Sequence, residues 1–215
     1  MVNATDIVLS KRGVLFTVGT LEKHEYELLL RERFIPRLFD NDFLERTLTT
    51  TPPALVVLVW TPLILHRALA LTPIAVGFVL LGILIWGAIE YCLHRFVFHM
   101  RPTGYWTQTI HFALHGIHHV SPRDPNRLVF PLPLSLLVYK TVELCFCGHA
   151  DALLTGGATG YLMYDMLHCY VHRPGCRLAF LKRNHILHHY NDTTRNFGVS
   201  PPAKLFDYLL GTHLG

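Results

Sequence analysis

Four stretches of this chain are so long and apolar that they dictate its surroundings: residues 54–71, 74–93, 128–147 and 152–170. The first is nearly all apolar despite Pro62 and ends in His66-Arg67, and the second carries one charge, Glu90. The third is apolar apart from Lys140 and Glu143, one helical turn apart and able to pair. The fourth has Gly156, Gly157 and Gly160 as a small face for close helix contact. At a rise of about 1.5 Å per residue, roughly 20 apolar residues cross a hydrocarbon core. With Pro73 turning the chain after the first stretch and a short link at 148–151 after the third, the pattern predicts an all-α integral membrane protein. Its four transmembrane helices form two hairpins. Any one stretch alone would also suit a buried helix of a soluble bundle. Four in 215 residues, at 51% hydrophobic, 16% charged and a mean hydropathy of +0.31, favour the membrane.

Residues 1–52 read as a cytosolic N-terminal arm with an interfacial helix, and 53–215 as the membrane-embedded domain. Residues 8–19 are β-prone and suit a surface-lying arm. Asp40-Asn41-Asp42 offers N-caps for a helix through Leu48 on the membrane surface, and Thr49 to Pro53 breaks it. The first fifty residues hold seven Lys or Arg and no early apolar core, so no cleaved targeting sequence is expected. Of 19 Lys and Arg, only Arg67 falls in the tight turns and Lys140 lies within a span. The remaining seventeen share the opposite side, which the positive-inside rule makes cytosolic together with both termini. Five cysteines without C-x-x-C spacing suggest neither a disulfide framework nor a zinc ribbon. Basic residues are not interleaved with aromatics, which argues against nucleic acid as a partner.

Ten of the fifteen histidines are clustered on that same side: His94, His99, His115, His118, His119, His168, His172, His185, His188 and His189. His115/118/119 and His185/188/189 are i, i+3, i+4 sets, and His168/172 an i, i+4 pair, all on one face of a helix. His94 and His99 are five apart, roughly 140° around an ideal helix, so the helix is expected to distort or end near Phe96. Imidazole suits Zn, Fe, Cu and Ni, and ten ligands are too many for one ion but right for two at five or six each. The expectation is a dinuclear, histidine-held metal site in a cytosolic helical cap. Glu90 and Asp165, each about a turn before a clustered histidine, are candidates to accept the second ring proton of a ligand, with helix packing or a salt bridge as the alternative. His111 lies on the face of His115 and is expected to support rather than ligate.

These boxes, Glu90-Tyr91-x-x-His94-Arg95-Phe96-x-Phe98-His99, His115-Gly116-x-His118-His119, Tyr164-Asp165-x-x-His168-x-Tyr170-x-His172 and His185-x-x-His188-His189, resemble the fatty acid 2-hydroxylases of the fatty acid hydroxylase superfamily. Residues 127–131 and the closing Phe197-Gly198 and Asp207 fit too. The resemblance runs from about residue 10 to the end, to the plant-like form without a fused cytochrome b5 domain. It implies an endoplasmic reticulum enzyme, multi-pass, that uses O2 to hydroxylate C2 of long or very long acyl chains for 2-hydroxylated sphingolipids. The ten histidines become metal ligands, and electrons come from NADH through cytochrome b5 reductase and cytochrome b5. Hydroxylation of an unactivated C–H bond points to two iron ions in the working enzyme, with zinc possible in preparations. Ile117 stands where the family often has a polar residue and Val120 where it often has Lys, departures that bear on substrate shape or partner binding.

Three other readings share parts of this pattern. A sterol or sphingoid-base hydroxylase or desaturase of the same superfamily would use the same histidines. A non-catalytic, zinc-stabilised membrane protein would hold redox-inert metal. A metal transporter would place its polar ligands near the bilayer midplane, whereas these cluster at segment ends.

Overall fold

A computed structural model describes residues 13–146 and 150–215, and every regular element among them is helical. Two short helices, α1 (Leu15–Gly19) and α2 (Lys23–Leu29), open the chain. The expected β-prone arm lies partly outside the described residues, and its remainder is α1. Val14, Leu15 and Val18 are not on the surface but buried with Tyr26, Phe112, Ile117 and Val120. Burial in that cluster outweighs the strand preference of β-branched residues, which is weak against tertiary context. Helix α3 (Asp42–Leu48) starts at the expected cap, with Asn41 Oδ1 accepting from the amides of Phe43 (2.9 Å) and Leu44 (3.1 Å). The segment between α2 and α3, and α3 itself, are fastened to the middle of the chain by the buried Arg127 guanidinium, which donates to the Pro36 carbonyl at 2.5 Å and to Glu45 of α3 at 2.6 Å.

Helix α4 (Pro53–Leu69) meets α3 at 54°. After a 3-10 turn at Pro73–Ala75 comes α5 (Val76–Cys92), which passes into a π-helical segment, Leu93–Phe98. Then follow α6 (Tyr105–His111), a second π-helical segment (Phe112–Gly116), α7 (Ile117–Val120) and α8 (Leu132–Phe146). The chain closes with α9 (Asp151–Val171), α10 (Ala179–Tyr190) and α11 (Pro201–Leu209).

Two stretches, Pro73–Phe98 and Pro125–Phe146, are long and apolar enough to cross a membrane, and α3 with α4 adds a third if the bent pair is one broken span. The fourth expected segment, α9, is 21 residues long but falls short in hydropathy, and the link before it lies mostly outside the described residues. Position explains the shortfall. Beyond Asp151 no residue of α9 is exposed, because the helix is packed between α5 and α4. Its Tyr161 ring meets Trp60 and Trp86 edge-on at centroid distances of 4.9 and 5.4 Å. A helix surrounded by helices can carry Thr155, Thr159 and Tyr164, whereas α4, α5 and α8 expose Leu58, Leu80 and Leu144.

Contact between α5 and α9 is close because small residues face each other. A Cβ on Gly82 would meet the Leu153 carbonyl oxygen and the Gly156 backbone, and one on Gly160 would meet Trp86. Gly157 has open space around it and takes no part. At the end of the bundle far from the clustered histidines, Arg67 on α4 pairs with Glu143 on α8 and, at 2.8 Å, with Asp151 on α9. Lys140 and Glu143 pair as their spacing predicts, at 2.6 Å.

Candidate metal centre

The ten clustered histidines come together as two sets of five. His94, His99, His115, His119 and His188 form one, and His118, His168, His172, His185 and His189 the other. Within each set every residue offers a ring nitrogen within 4.8 Å of the others, a spacing at which either set could hold a metal ion. The sets are built alike. Each takes a pair from one helix, an i, i+4 pair from a histidine triple, and a single residue from the other triple. Neighbours in sequence are about 100° apart on a helix, so His118 and His119 diverge to different sets, as do His188 and His189.

The pair five residues apart is accommodated by the expected distortion. Leu93–Phe98 is π-helical, and the His99 amide donates to the His94 carbonyl at 3.0 Å, the i to i+5 bond of that geometry. The second π-helical segment ends at Gly116 and contains His115. His111, just before it, belongs to neither set: its Nδ1 lies 2.6 Å from the Tyr26 hydroxyl.

Ring orientation is fixed by main-chain oxygens. His94 Nδ1 donates to the Phe197 carbonyl, His168 Nδ1 to Leu128 at 2.7 Å and His188 Nδ1 to Arg195 at 2.7 Å. A neutral ring protonated at Nδ1 carries its lone pair on Nε2. Those Nε2 atoms point into the sets. In the second set the Nε2 atoms of His168, His118, His189, His185 and His172 follow one another at 3.0, 3.0, 3.0 and 2.8 Å. Each Nε2 has one in-plane site, a proton or a lone pair, so it cannot donate to one neighbour while accepting from the next. At most two of these four contacts can be hydrogen bonds. In the first set His115 Nε2 is likewise caught between His94 at 3.1 Å and His119 at 3.0 Å. Convergent lone pairs around one point are the donor set that a cation completes, and the residues fit a metal pair.

Burial keeps the rings neutral. It pushes His115, His118, His119, His185 and His189 well below the ordinary imidazole range, with neighbouring imidazoles adding to the effect, and brings His188 to about 4. A neutral imidazole is the form that ligates.

Glu90 and Asp165 do not play the part expected of them. Among the described residues neither carboxylate hydrogen bonds a histidine ring. Glu90 Oε1 accepts from the amides of Val199 (2.7 Å) and Ser200 (2.9 Å), and Asp165 Oδ1 from the amide of Phe130 (3.4 Å). Both therefore hold backbone close to the carbonyls that orient His94 and His168. Carbonyl acceptors escape a reading by residue type, since every residue has one. Ile117 and Val120, expected to bear on substrate shape or partner binding, are buried in one cluster with Val14 and Val18 and serve the packing of the N-terminal segment.

A family model described as fatty acid hydroxylase matches residues 79–212. The dihydroceramide fatty acyl 2-hydroxylase FAH1 of Arabidopsis thaliana is 36% identical over 228 residues, covering 94% of this chain and 91% of that protein. The fatty acid 2-hydroxylase of Homo sapiens is 33% identical over 243 residues, covering 96% of this chain and 64% of that protein. The solved structure of full-length scs7p, with only its hydroxylase domain visible, superposes with a TM-score of 0.82 at 33% identity, over 95% of this chain and 84% of that one. With the matched stretch containing both five-histidine sets, the chain belongs to the fatty acid hydroxylase family.

Proposed function

We propose that this protein is an O2-dependent fatty acyl 2-hydroxylase that modifies long or very long acyl chains of sphingolipids. The observation that carries the reading is the pair of adjoining five-histidine sets with converging ring nitrogens, in a chain similar along nearly its whole length to named 2-hydroxylases. The ten histidines would be the ligands, five to each of two ions, with iron in the working enzyme and zinc possible in preparations. When bound, the metal pair supplies the O2 activation that an unactivated C–H bond requires, because acids, bases and nucleophiles do not attack such a bond. The chain does the rest: Nε2 lone pairs hold, Phe197, Leu128 and Arg195 carbonyls orient, and burial excludes water.

A cleft of about 640 Å³ adjoins the second set and includes His172 in its wall. Leu128, Cys169 and Ile186 make it apolar, and Arg123 and Lys182 give it a cationic side. Pro53, where the first apolar helix begins, also lines it, which suits an acyl chain entering from the level of the lipid headgroups. Regioselectivity at C2 would follow from anchoring the polar end of the lipid here while the tail stays among apolar helices.

Four spans in two hairpins, residues 1–52 as a cytosolic arm, 53–215 as the membrane domain, both termini cytosolic and residence in the endoplasmic reticulum complete the proposal. Electrons would come from NADH through cytochrome b5 reductase and cytochrome b5. The test is expression in a host lacking acyl 2-hydroxylation: 2-hydroxylated sphingolipids should appear, and metal analysis should give two imidazole-bound ions per chain. Hydroxylation at another carbon, or a hydroxylated sterol or sphingoid base instead, would overturn the assignment.

A further inference from the structure

Four successive backbone amides, those of Phe197, Gly198, Val199 and Ser200, are taken in pairs by two buried carboxylates from different helices. Asp207 on α11 accepts from Phe197 and Gly198, both at 2.9 Å, and Glu90 on α5 accepts from Val199 at 2.7 Å and Ser200 at 2.9 Å. The Ser200 hydroxyl donates to the second oxygen of Glu90 at 2.5 Å, and Thr212 Oγ1 to Asp207 at 2.8 Å. Glu90 is 3% exposed, and Asp207 and Ser200 are 0% exposed, so these bonds do not compete with water. The segment they grip forms one wall of the first histidine set. Its Phe197 carbonyl receives the His94 ring, and the Phe197 ring lies 5.8 Å, centroid to centroid, from each of His94, His99 and His188.

No comparable pair of carboxylates serves the second set among the described residues. There the Nδ1 atoms of His118, His185 and His189 are buried without a hydrogen-bond partner. We propose that Glu90 and Asp207 are positioning residues for one metal only: by fixing residues 197–200 they preorganise the His94 set and leave the His168 set to assemble independently. The idea rests on the metal-holding reading of the two sets. Supporting hydrogen bonds around a ligating histidine typically govern metal affinity by about 10–100-fold, and a buried carboxylate gripping two amides has the rigidity to do so.

Purified full-length protein, titrated with Fe(II) or Co(II) against a competing chelator, tests it. Wild type should bind two ions, and fewer than two would sink the metal-holding reading itself. Glu90→Ala should weaken one binding event by about 10–100-fold and leave the other at its wild-type affinity. Glu90→Gln, which keeps one acceptor oxygen and the side-chain size, should recover part of the loss, and it decides the matter if Glu90→Ala does not fold. Asp207→Asn should weaken the same event. Combined with His94→Gln, Glu90→Ala should add nothing further, whereas combined with His168→Gln it should leave no tight site. Unchanged affinities in Glu90→Ala and Glu90→Gln, or equal weakening of both events, would overturn the inference. The first outcome denies any positioning role, and the second reduces the carboxylates to general supports of the fold.

Discussion

His118 and His119 are adjacent in the chain yet serve different clusters: His118 Nε2 lies 3.0 Å from that of His168, and His119 Nε2 lies 3.0 Å from that of His115. His188 and His189 repeat the arrangement, with His188 Nε2 2.9 Å from His99 and His189 Nε2 3.0 Å from His185. Two helices therefore each contribute to both sets, and the sets are held side by side by α7 and α10 rather than by separate lobes.

His118→Gln and His119→Gln should each lose one ion, and not the same one. A direct ligand should cost more than the roughly 10–100-fold in affinity expected of a supporting group, and nearly all 2-hydroxylated product should disappear in either variant. Metal content of the two single variants and of the double variant checks this: about one, about one and none.

His111→Gln should keep both ions with at most a partial loss of rate, since the ring faces Tyr26 rather than either set. Tyr26→Phe removes the 2.6 Å contact and should lower stability by about 1 kcal/mol without changing metal stoichiometry. Loss of an ion from His111→Gln with retention in His115→Gln would mean that the helix carries its ligands on a different face.

Acid should destabilise the metal-free fold over a defined window. Burial lowers His111 and His188 to about 4, while in the unfolded chain an imidazole takes up its proton near 6.5. Below about pH 6.5 the unfolded state binds protons that the folded state refuses, so the contribution of these histidines to stability is flat above that value and falls towards pH 4. Each such histidine adds a slope of up to about 1.4 kcal/mol per pH unit. Thermal unfolding of the metal-free protein between pH 8 and 4 measures it, and a midpoint that rises on acidification would contradict it.

Arg127→Met should destabilise by about 3–5 kcal/mol, because it strands Glu45 beneath the N-terminal segment with no counter-charge. Adding Glu45→Gln should recover part of that loss. Denaturant unfolding of the single and double variants gives the coupling directly.

What was legible in the sequence was chemistry that demands particular residue types at particular steps. Most of the histidine roster follows from i, i+4 spacing, with the family motif setting His111 aside, and the five-residue step from His94 to His99 predicts a helix that distorts or ends near Phe96, where the structure has a π-helical segment. What was not legible depended on atoms every residue has, or on neighbours far away in the chain. The Phe197, Leu128 and Arg195 carbonyls leave no residue-type signature, and spacing that leaves Glu90 and Asp165 open between a ring partner and a packing residue does not reveal that they accept from main-chain amides. That α9 is the helix enclosed by α4 and α5 is likewise not legible, because composition does not reveal which helix the others surround. Val14 and Val18 read as strand residues because their destination, a niche beside Phe112, is set by tertiary structure.

Helices α5 and α9, packed along each other, work like the two arms of a pair of callipers. The helices run in parallel register, with Gly82 against Gly156 and Trp86 against Gly160. His94 and His168 each lie twelve residues further along, at equal arms of about 18 Å. The gap between the two jaws, one in each histidine set, is thus gauged at a point well away from the chemistry. An added methyl at Gly82 or Gly156 would prise the arms apart there. Such a variant should retain every ligand and still alter the metal–metal separation, measurable by X-ray absorption on the iron-loaded protein, so that residues touching neither ion tune how the pair works together.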